Sequence, residues 1–554
     1  MSSNGHKSSR PIGKKLVVAC DGTWQNGDAG FDKSPFSDPT AQIPSNVVRI
    51  VRALNHHDEN GVPQISFYQR GLGTDGNLED KLLGGMTGFG ISEHIREAYA
   101  FVANNYDPST AEELDIALKD ESKVMDEIVL LGFSRGAYTA RAISSLITDM
   151  GLLTKKGMEQ FWGIFTDWKN QDVAGHESEW FKLNYPKVAS DFKAKKGRDI
   201  IFTDPEYRDT LKANKLTRWG MPVRAVGVWD TVGALGIPKE LNAKNVRPYA
   251  FVNTKVAQHI EYAFHAMAID ERRHLYSPTI WEQPDDIAPG QPAMLKKLKQ
   301  CWFPGSHSNI GGSYPDASAS VLSLAWMVSQ LEDNGKILSF NQAYLDFVQD
   351  LACKWYADNK QPVRPWGFGT LYDSAIIKDP ETLVQGVNPQ VRTPGRYDEI
   401  DLKSGNPDPK KLLKGTNEYI HRCVRQRIEG GGPGIQVSDT GFFAFLYTLS
   451  GSFFSYLPKA WTTNKTLDRF LLAGKQALGL HPDLLAETKS YDPPALKNYT
   501  LVDGTTKGTG GVVYKAHDNG ASLYEDELGS TEIRLLDRST KFAKLEGPPA
   551  PAKV

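Results

Sequence analysis

The chain has 554 residues, with 64 basic and 66 acidic side chains and a formal net charge of −2. That balance, without a long Lys/Arg tract to track a phosphate backbone, argues against a nucleic-acid partner. Hydrophobic residues at 40% suffice for a large core, while 50 Gly and 32 Pro argue for many turns and against a helical bundle.

Residues 1–14 are polar, lack the apolar centre of a secretory signal and read as a disordered tail. Lys15–Cys20 reads as a strand that ends at the turn-forming Asp21-Gly22. After a loop over 25–46, Asn46–Leu54 and Glu93–Val102 have helical spacing, with Ile65–Gln69 as a strand between them. Glu127–Leu131 is a buried strand that runs into Gly132-Phe133-Ser134-Arg135-Gly136, and a helix follows from Ala137 to Thr148. Residues 154–215, polar, charged and aromatic, read as an insertion over the mouth of the site. Pro222–Trp229 is an apolar strand ending at Asp230; Lys255–Ile269 is predicted helical, Leu298–Phe303 a strand and Ser318–Leu331 a helix. Alternating strands and helices predict an α/β fold: a mostly parallel sheet with helices on both faces.

Past residue 335 the periodicity weakens, so 15–335 reads as the catalytic domain and 336–545 as an accessory or cap region packed on it. Phe442–Leu457, the most apolar stretch, is broken by Ser and Gly and falls short of the roughly 20 residues that span a bilayer. With no signal or spanning segment in view, a cytoplasmic location is expected. The four cysteines, Cys20, Cys301, Cys353 and Cys423, lack CxxC spacing, which argues against a disulfide framework or zinc ribbon and for buried free thiols.

The chemistry centres on Gly132-Phe133-Ser134-Arg135-Gly136, a G-x-S-x-G between strand and helix. A sharp turn there exposes the serine hydroxyl and sets the Arg135 N–H at a helix N-terminus, ready for an oxyanion. A serine needs a base held by an acid. In the order Ser, Asp, His, Asp230 fits as the acid just past one strand and His307 as the base just past another. Their rivals are His265 and His274, read as structural residues in or beside a helix, and Asp270 and Asp316, which lack an obvious strand-terminal position. Gly22 or Thr23, after the first strand, is the candidate second oxyanion donor. Asp21 as the nucleophile of a metal-dependent phosphatase is disfavoured, because Thr23 stands where such sites place a second Asp.

Gly71-Leu72-Gly73-Thr74-Asp75-Gly76 spells G-x-G-x-x-G but opens no packed helix, and Gly84–Gly90 lacks the Lys-Ser/Thr ending of a phosphate loop. Glu418 and His421 share a helix face in this reading but have no further ligand cluster around them. No metal or organic cofactor is expected.

Five co-ordered motifs carry a resemblance: Cys20–Trp24, Tyr68–Thr74, Gly132–Ala137, Val228–Gly233 and Trp302–Gly312. Over residues 14–335, and more loosely Glu418–Arg427, the chain resembles the α/β-hydrolase family that includes the catalytic domain of type VI secretion phospholipase effectors. Showing no obvious secretion-machinery adaptor, it is similar to a free-standing fungal-type member. The resemblance implies an α/β-hydrolase fold, a triad mapping onto Ser134, Asp230 and His307, and a lipid or phospholipid acyl ester as substrate; transient contact with a membrane surface is a separate expectation. The composition of 440–461 suggests apolar walls for an acyl chain. The alternative is a catalytically silent interaction protein on the same scaffold.

Overall fold

Nine residues from Ile12 to Cys20 form the first strand, β1, of the computed structural model. The structure describes residues 11–22, 31–32, 40–41, 43–71, 90–107, 110–120, 122–171, 173, 175–232, 255–273, 276–287, 292–374, 390–401, 406–436, 490–503, 512–517 and 522–545. The strand begins inside the stretch expected as tail. The Lys14 N–H and ammonium both bond Asp126, which fastens these residues to the neighbouring strand.

Among the described residues the main sheet has ten strands. After β1 come β2 (Gln64–Gln69), β3 (Met125–Phe133), β4 (Val223–Trp229), β5 (Ile260–Ala268) and β6 (Lys297–Phe303). The rest are β7 (Glu418–His421), β8 (Tyr499–Asp503), β9 (Val512–Ala516) and β10 (Leu523–Asp526). In space the order is β2-β1-β3-β4-β5-β6-β7-β10-β9-β8. Every pairing from β2 across to β10 is parallel; only β10-β9 and β9-β8 are antiparallel. The C-terminal part therefore supplies four strands that widen the sheet itself.

The periodicity of two sorts each central strand into two cores. Leu16, Val18, Ile128, Leu130, Val226 and Val228 face one side, against α2 (Ile91–Asn105) and α3 (Arg135–Met150). Val17, Ala19, Val129, Leu131 and Ala225 face the other, against α1 (Asn46–Ala53), α5 (Ser318–Asp333) and α6 (Gln342–Asp358). The layers are helix, sheet and helix, as the alternation predicts.

Two local readings differ. Residues 260–268, expected as helix, are a central strand: Ile-Glu-Tyr-Ala-Phe-His-Ala-Met-Ala is buried on both faces, so the apolar run mimics a buried helix. Glu418 and His421 lie on strand β7, where Glu418 accepts the Trp302 indole N–H at 2.8 Å. Segment 154–215 is mostly helical, and Phe161, Phe165, Trp168, Phe181 and Tyr207 join the same core as α3. All four cysteines are free and buried. Among the described residues no helix is long and apolar enough to cross a membrane; Phe442–Leu457 lies outside them.

Candidate active site

Parallel strands deliver their carboxyl ends to one edge of the sheet, where ligands of such folds bind. Asp21 follows β1, Ser134 follows β3, Asp230 follows β4, Asp270 and Glu271 follow β5, and His307 follows β6 as the first residue of α4 (His307–Gly311).

Ser134 has φ 58° and ψ −122°, a region that non-glycine residues avoid. Holding it there costs roughly 1–3 kcal/mol, which the surrounding packing must supply. The chain can turn this sharply because a side chain at Gly136 would collide with the Cys20 and Asp21 carbonyls. Asp230 is also left-handed, at φ 40°. Two of the three residues expected to react therefore sit in strained backbone.

The Asp230 side chain is wholly buried yet fully partnered. Its Oδ2 lies 2.5 Å from His307 Nδ1, and its Oδ1 accepts the Ala268 N–H at 2.9 Å. The Arg392 guanidinium forks onto both oxygens, at 2.5 and 3.0 Å. Burial pushes the Asp230 carboxyl up, but the charge of Arg392 and the hydrogen bond from His307 outweigh it and hold it well below the usual carboxylate range. For His307, burial pulls the imidazole below its ordinary value, and the bond to Asp230 offsets this only in part. Its ring packs 4.6 Å from Phe133, the residue before Ser134, and edge-on to Tyr276 at 4.8 Å. The His307 N–H donates to Glu271 Oε2, whose carboxylate is forked by Arg273.

The oxyanion candidates divide. Arg135 opens α3 directly after Ser134. A methyl at Gly22 would stand 3.3 Å from Ser134 Cβ, so this turn lies against the elbow, but the Gly22 N–H already donates to Asp21 Oδ1 at 2.7 Å. Thr23, the other candidate, lies outside the described residues, as do Trp24, His274, region 440–461 and most of both glycine-rich loops (72–76 and 84–89). Asp21 accepts from Ser45 and Tyr68 as well, at 2.8 and 2.7 Å, so both of its oxygens are engaged. Burial raises its carboxyl to about 6, against those three hydrogen bonds.

Three of the four rival residues, His265, Asp270 and Asp316, are each held by hydrogen bonds. His265 lies on β5; its Nε2 accepts the Thr231 N–H at 3.0 Å and its Nδ1 meets Gln300, so burial, which lowers its pKa to about 3, leaves it neutral. Asp270 accepts from the Gly305 N–H and the Tyr491 hydroxyl, both at 2.7 Å. Asp316 accepts the Thr370 N–H and the Tyr356 hydroxyl. Among the described residues, no group of three or more His, Cys, Asp or Glu side chains is placed to hold a metal ion. Sequence reasoning missed Arg392, Glu271 and Arg273. Arg392 sits in a Pro/Gly-rich connection without periodicity, so no local pattern marks it.

An uncharacterized protein of Saccharomyces cerevisiae, YEL023C, is 26% identical over 289 residues, covering 49% of this chain and 32% of the yeast protein. A solved structure of the Tle1 effector bound to the VgrG spike from the type 6 secretion system is 18% identical, covers 55% of this chain and 52% of its own, and has a TM-score of 0.28. The crystal structure of an uncharacterized protein from Pseudomonas aeruginosa is 14% identical, covers 87% and 64%, and has a TM-score of 0.31. The chain thus spans about a third of the yeast protein and less than two thirds of either solved chain. The model of one family, described as "T6SS, Phospholipase effector Tle1-like, catalytic domain", matches residues 14–330. That is a family of phospholipase catalytic domains, lipid-ester hydrolases at the family level, and the chain belongs to it.

Proposed function

We propose that this chain is a serine hydrolase of carboxylic esters, acting on lipid or phospholipid acyl esters through Ser134, His307 and Asp230. One observation carries the reading: the imidazole of His307, bonded at 2.5 Å to a buried aspartate, packs on the residue that precedes a strained serine elbow. With its Nδ1–H given to Asp230, His307 presents Nε2 as a base. It takes the Ser134 proton as the hydroxyl attacks the ester carbonyl, and the backbone N–H of Arg135 faces the oxyanion. The protonated imidazole then gives that proton to the departing alkoxide, leaving an acyl-enzyme. Water, deprotonated by the same nitrogen, attacks the acyl carbon and frees the carboxylic acid and Ser134.

The phosphatase reading is disfavoured, because Asp21 is committed on both oxygens to Gly22, Ser45 and Tyr68. The test is covalent labelling with a fluorophosphonate, followed by hydrolysis of a panel of esters and phospholipids. Labelling and hydrolysis lost together in Ser134→Ala, with thermal unfolding unchanged, are expected. Undiminished labelling of that variant overturns the proposal, and a wild type that neither labels nor hydrolyses any ester favours the silent scaffold.

A further inference from the structure

Arg392 lies 162 residues beyond Asp230 in the chain and outside the stretch that matches the family model, yet its guanidinium reaches both oxygens of that carboxylate. Its side chain is 4% exposed. Nη1 donates to Asp230 Oδ1 and to the Ala268 carbonyl at 2.5 and 2.6 Å; Nη2 donates to Asp230 Oδ2 and to the Tyr276 carbonyl at 3.0 and 2.6 Å. The backbone around it is pinned in turn, with the Gln390 N–H on the Arg272 carbonyl and the Gly395 N–H on Glu418.

We infer that Arg392 is a positioning residue of the hydrolytic reaction: its fork fixes the plane of the Asp230 carboxylate and balances its charge, so that His307 stays a neutral base. The inference rests on the reading of Ser134, His307 and Asp230 as the reacting unit. Two physical effects underlie it. A planar guanidinium bound through two parallel N–H groups leaves the carboxylate one orientation, and hence one direction for the bond to His307 Nδ1. A buried carboxylate without a counter-ion would also draw a proton onto the imidazole, and an imidazolium cannot accept the proton of Ser134.

Arg392 acts on the imidazole through Asp230, while Arg273 and Glu271 bear on His307 directly with opposite signs. Glu271, which accepts the His307 N–H, is neutralised by the fork from Arg273. The Arg273 guanidinium lies over Tyr276, whose ring meets His307 edge-on. Below the pair, His265 is neutral and holds the Thr231 N–H. Arg141, from α3, reaches the Thr279 carbonyl and the Trp281 ring. Removing Arg392 takes the guanidinium from the Asp230 carboxylate and leaves it the bonds from His307 and the Ala268 N–H.

The test compares full-length wild type, Arg392→Gln and Arg392→Lys. The readouts are the rate of fluorophosphonate labelling and ester turnover per labelled Ser134, each followed against pH. In Arg392→Gln the acid limb of both profiles should move up by on the order of one pH unit. In Arg392→Lys, which keeps the charge but not the fork, the limb should stay in place while turnover per labelled site falls on the order of tenfold. Counting by labelled site removes any loss of folded protein from the comparison. An unmoved limb in Arg392→Gln overturns the inference and leaves Arg392 a structural clamp. If the Gln variant does not fold, the Lys variant decides: turnover per site equal to wild type overturns it. Labelling that survives Ser134→Ala overturns the reaction reading and this inference with it, whereas Ser134-dependent labelling with an unmoved limb overturns the role of Arg392 alone.

Discussion

The backbone N–H of Ser134 donates to the carbonyl of Trp229 at 3.1 Å, so the elbow after β3 is stitched to β4 one residue before Asp230. The two strained residues, Ser134 and Asp230, thus share one hydrogen-bonded seam, and each depends on its neighbour for its geometry. Damage to either should be felt by both.

Asp230→Asn should cost on the order of 10⁴ in turnover, as in the template serine protease, because the amide allows the wrong imidazole tautomer. Here it should also cost about 3–5 kcal/mol of stability, since it leaves the buried Arg392 without its counter-ion. His307→Ala should cost at least as much turnover, and the double variant little more than either alone. Additive losses in the double variant would show that the two residues do not act as a unit.

Because His307 must be neutral to act, activity should fall as pH drops through its pKa. Burial places that pKa below the ordinary histidine value of about 6.5, so activity should persist to lower pH than an exposed histidine would allow. An acid limb of kcat/KM above 6.5 would contradict this assignment.

His265→Ala is the control. It removes the acceptor of the buried Thr231 N–H and should lower stability by about 1–3 kcal/mol. Fluorophosphonate labelling of the folded protein should stay near the wild-type rate. If labelling vanishes while His307→Ala labels normally, the base sits on β5.

Gly136→Ala should prevent accumulation of folded protein, because its methyl would meet backbone carbonyls of β1 that cannot yield. Gly22→Ala first meets side-chain atoms, the Phe133 ring at 2.8 Å and Ser134 Cβ at 3.3 Å, so it should fold while labelling slows. Soluble expression and labelling rate separate the two. Equal yields would mean that the elbow does not need its close approach to β1.

Trp168→Ala tests whether segment 154–215 is structural. The indole is fully buried in the core that backs α3 and donates to Asp149 at 2.9 Å. A loss of about 3–5 kcal/mol is expected in denaturant unfolding. A loss under 1 kcal/mol would mark the segment as a detachable cover.

By itself the sequence determined what depends on short-range pattern. The runs at β1, β3, β4 and β6, and the helices α1, α2, α3 and α5, follow from apolar periodicity and turn residues. Ser134, Asp230 and His307 stand out because each follows a readable strand, and topology brings such ends to one edge. Only the tertiary structure decided what depends on contacts distant in sequence. Residues 260–268 became a strand because both faces are covered by other layers, which a local pattern cannot distinguish from a buried helix. The strands after residue 400 are short and found their place by pairing with β6 and one another, so weak periodicity concealed them. Arg392 illustrates the same limit: its place beside Asp230 is set by two carbonyls and a carboxylate from other segments, none of which leaves a mark on its neighbours in the chain.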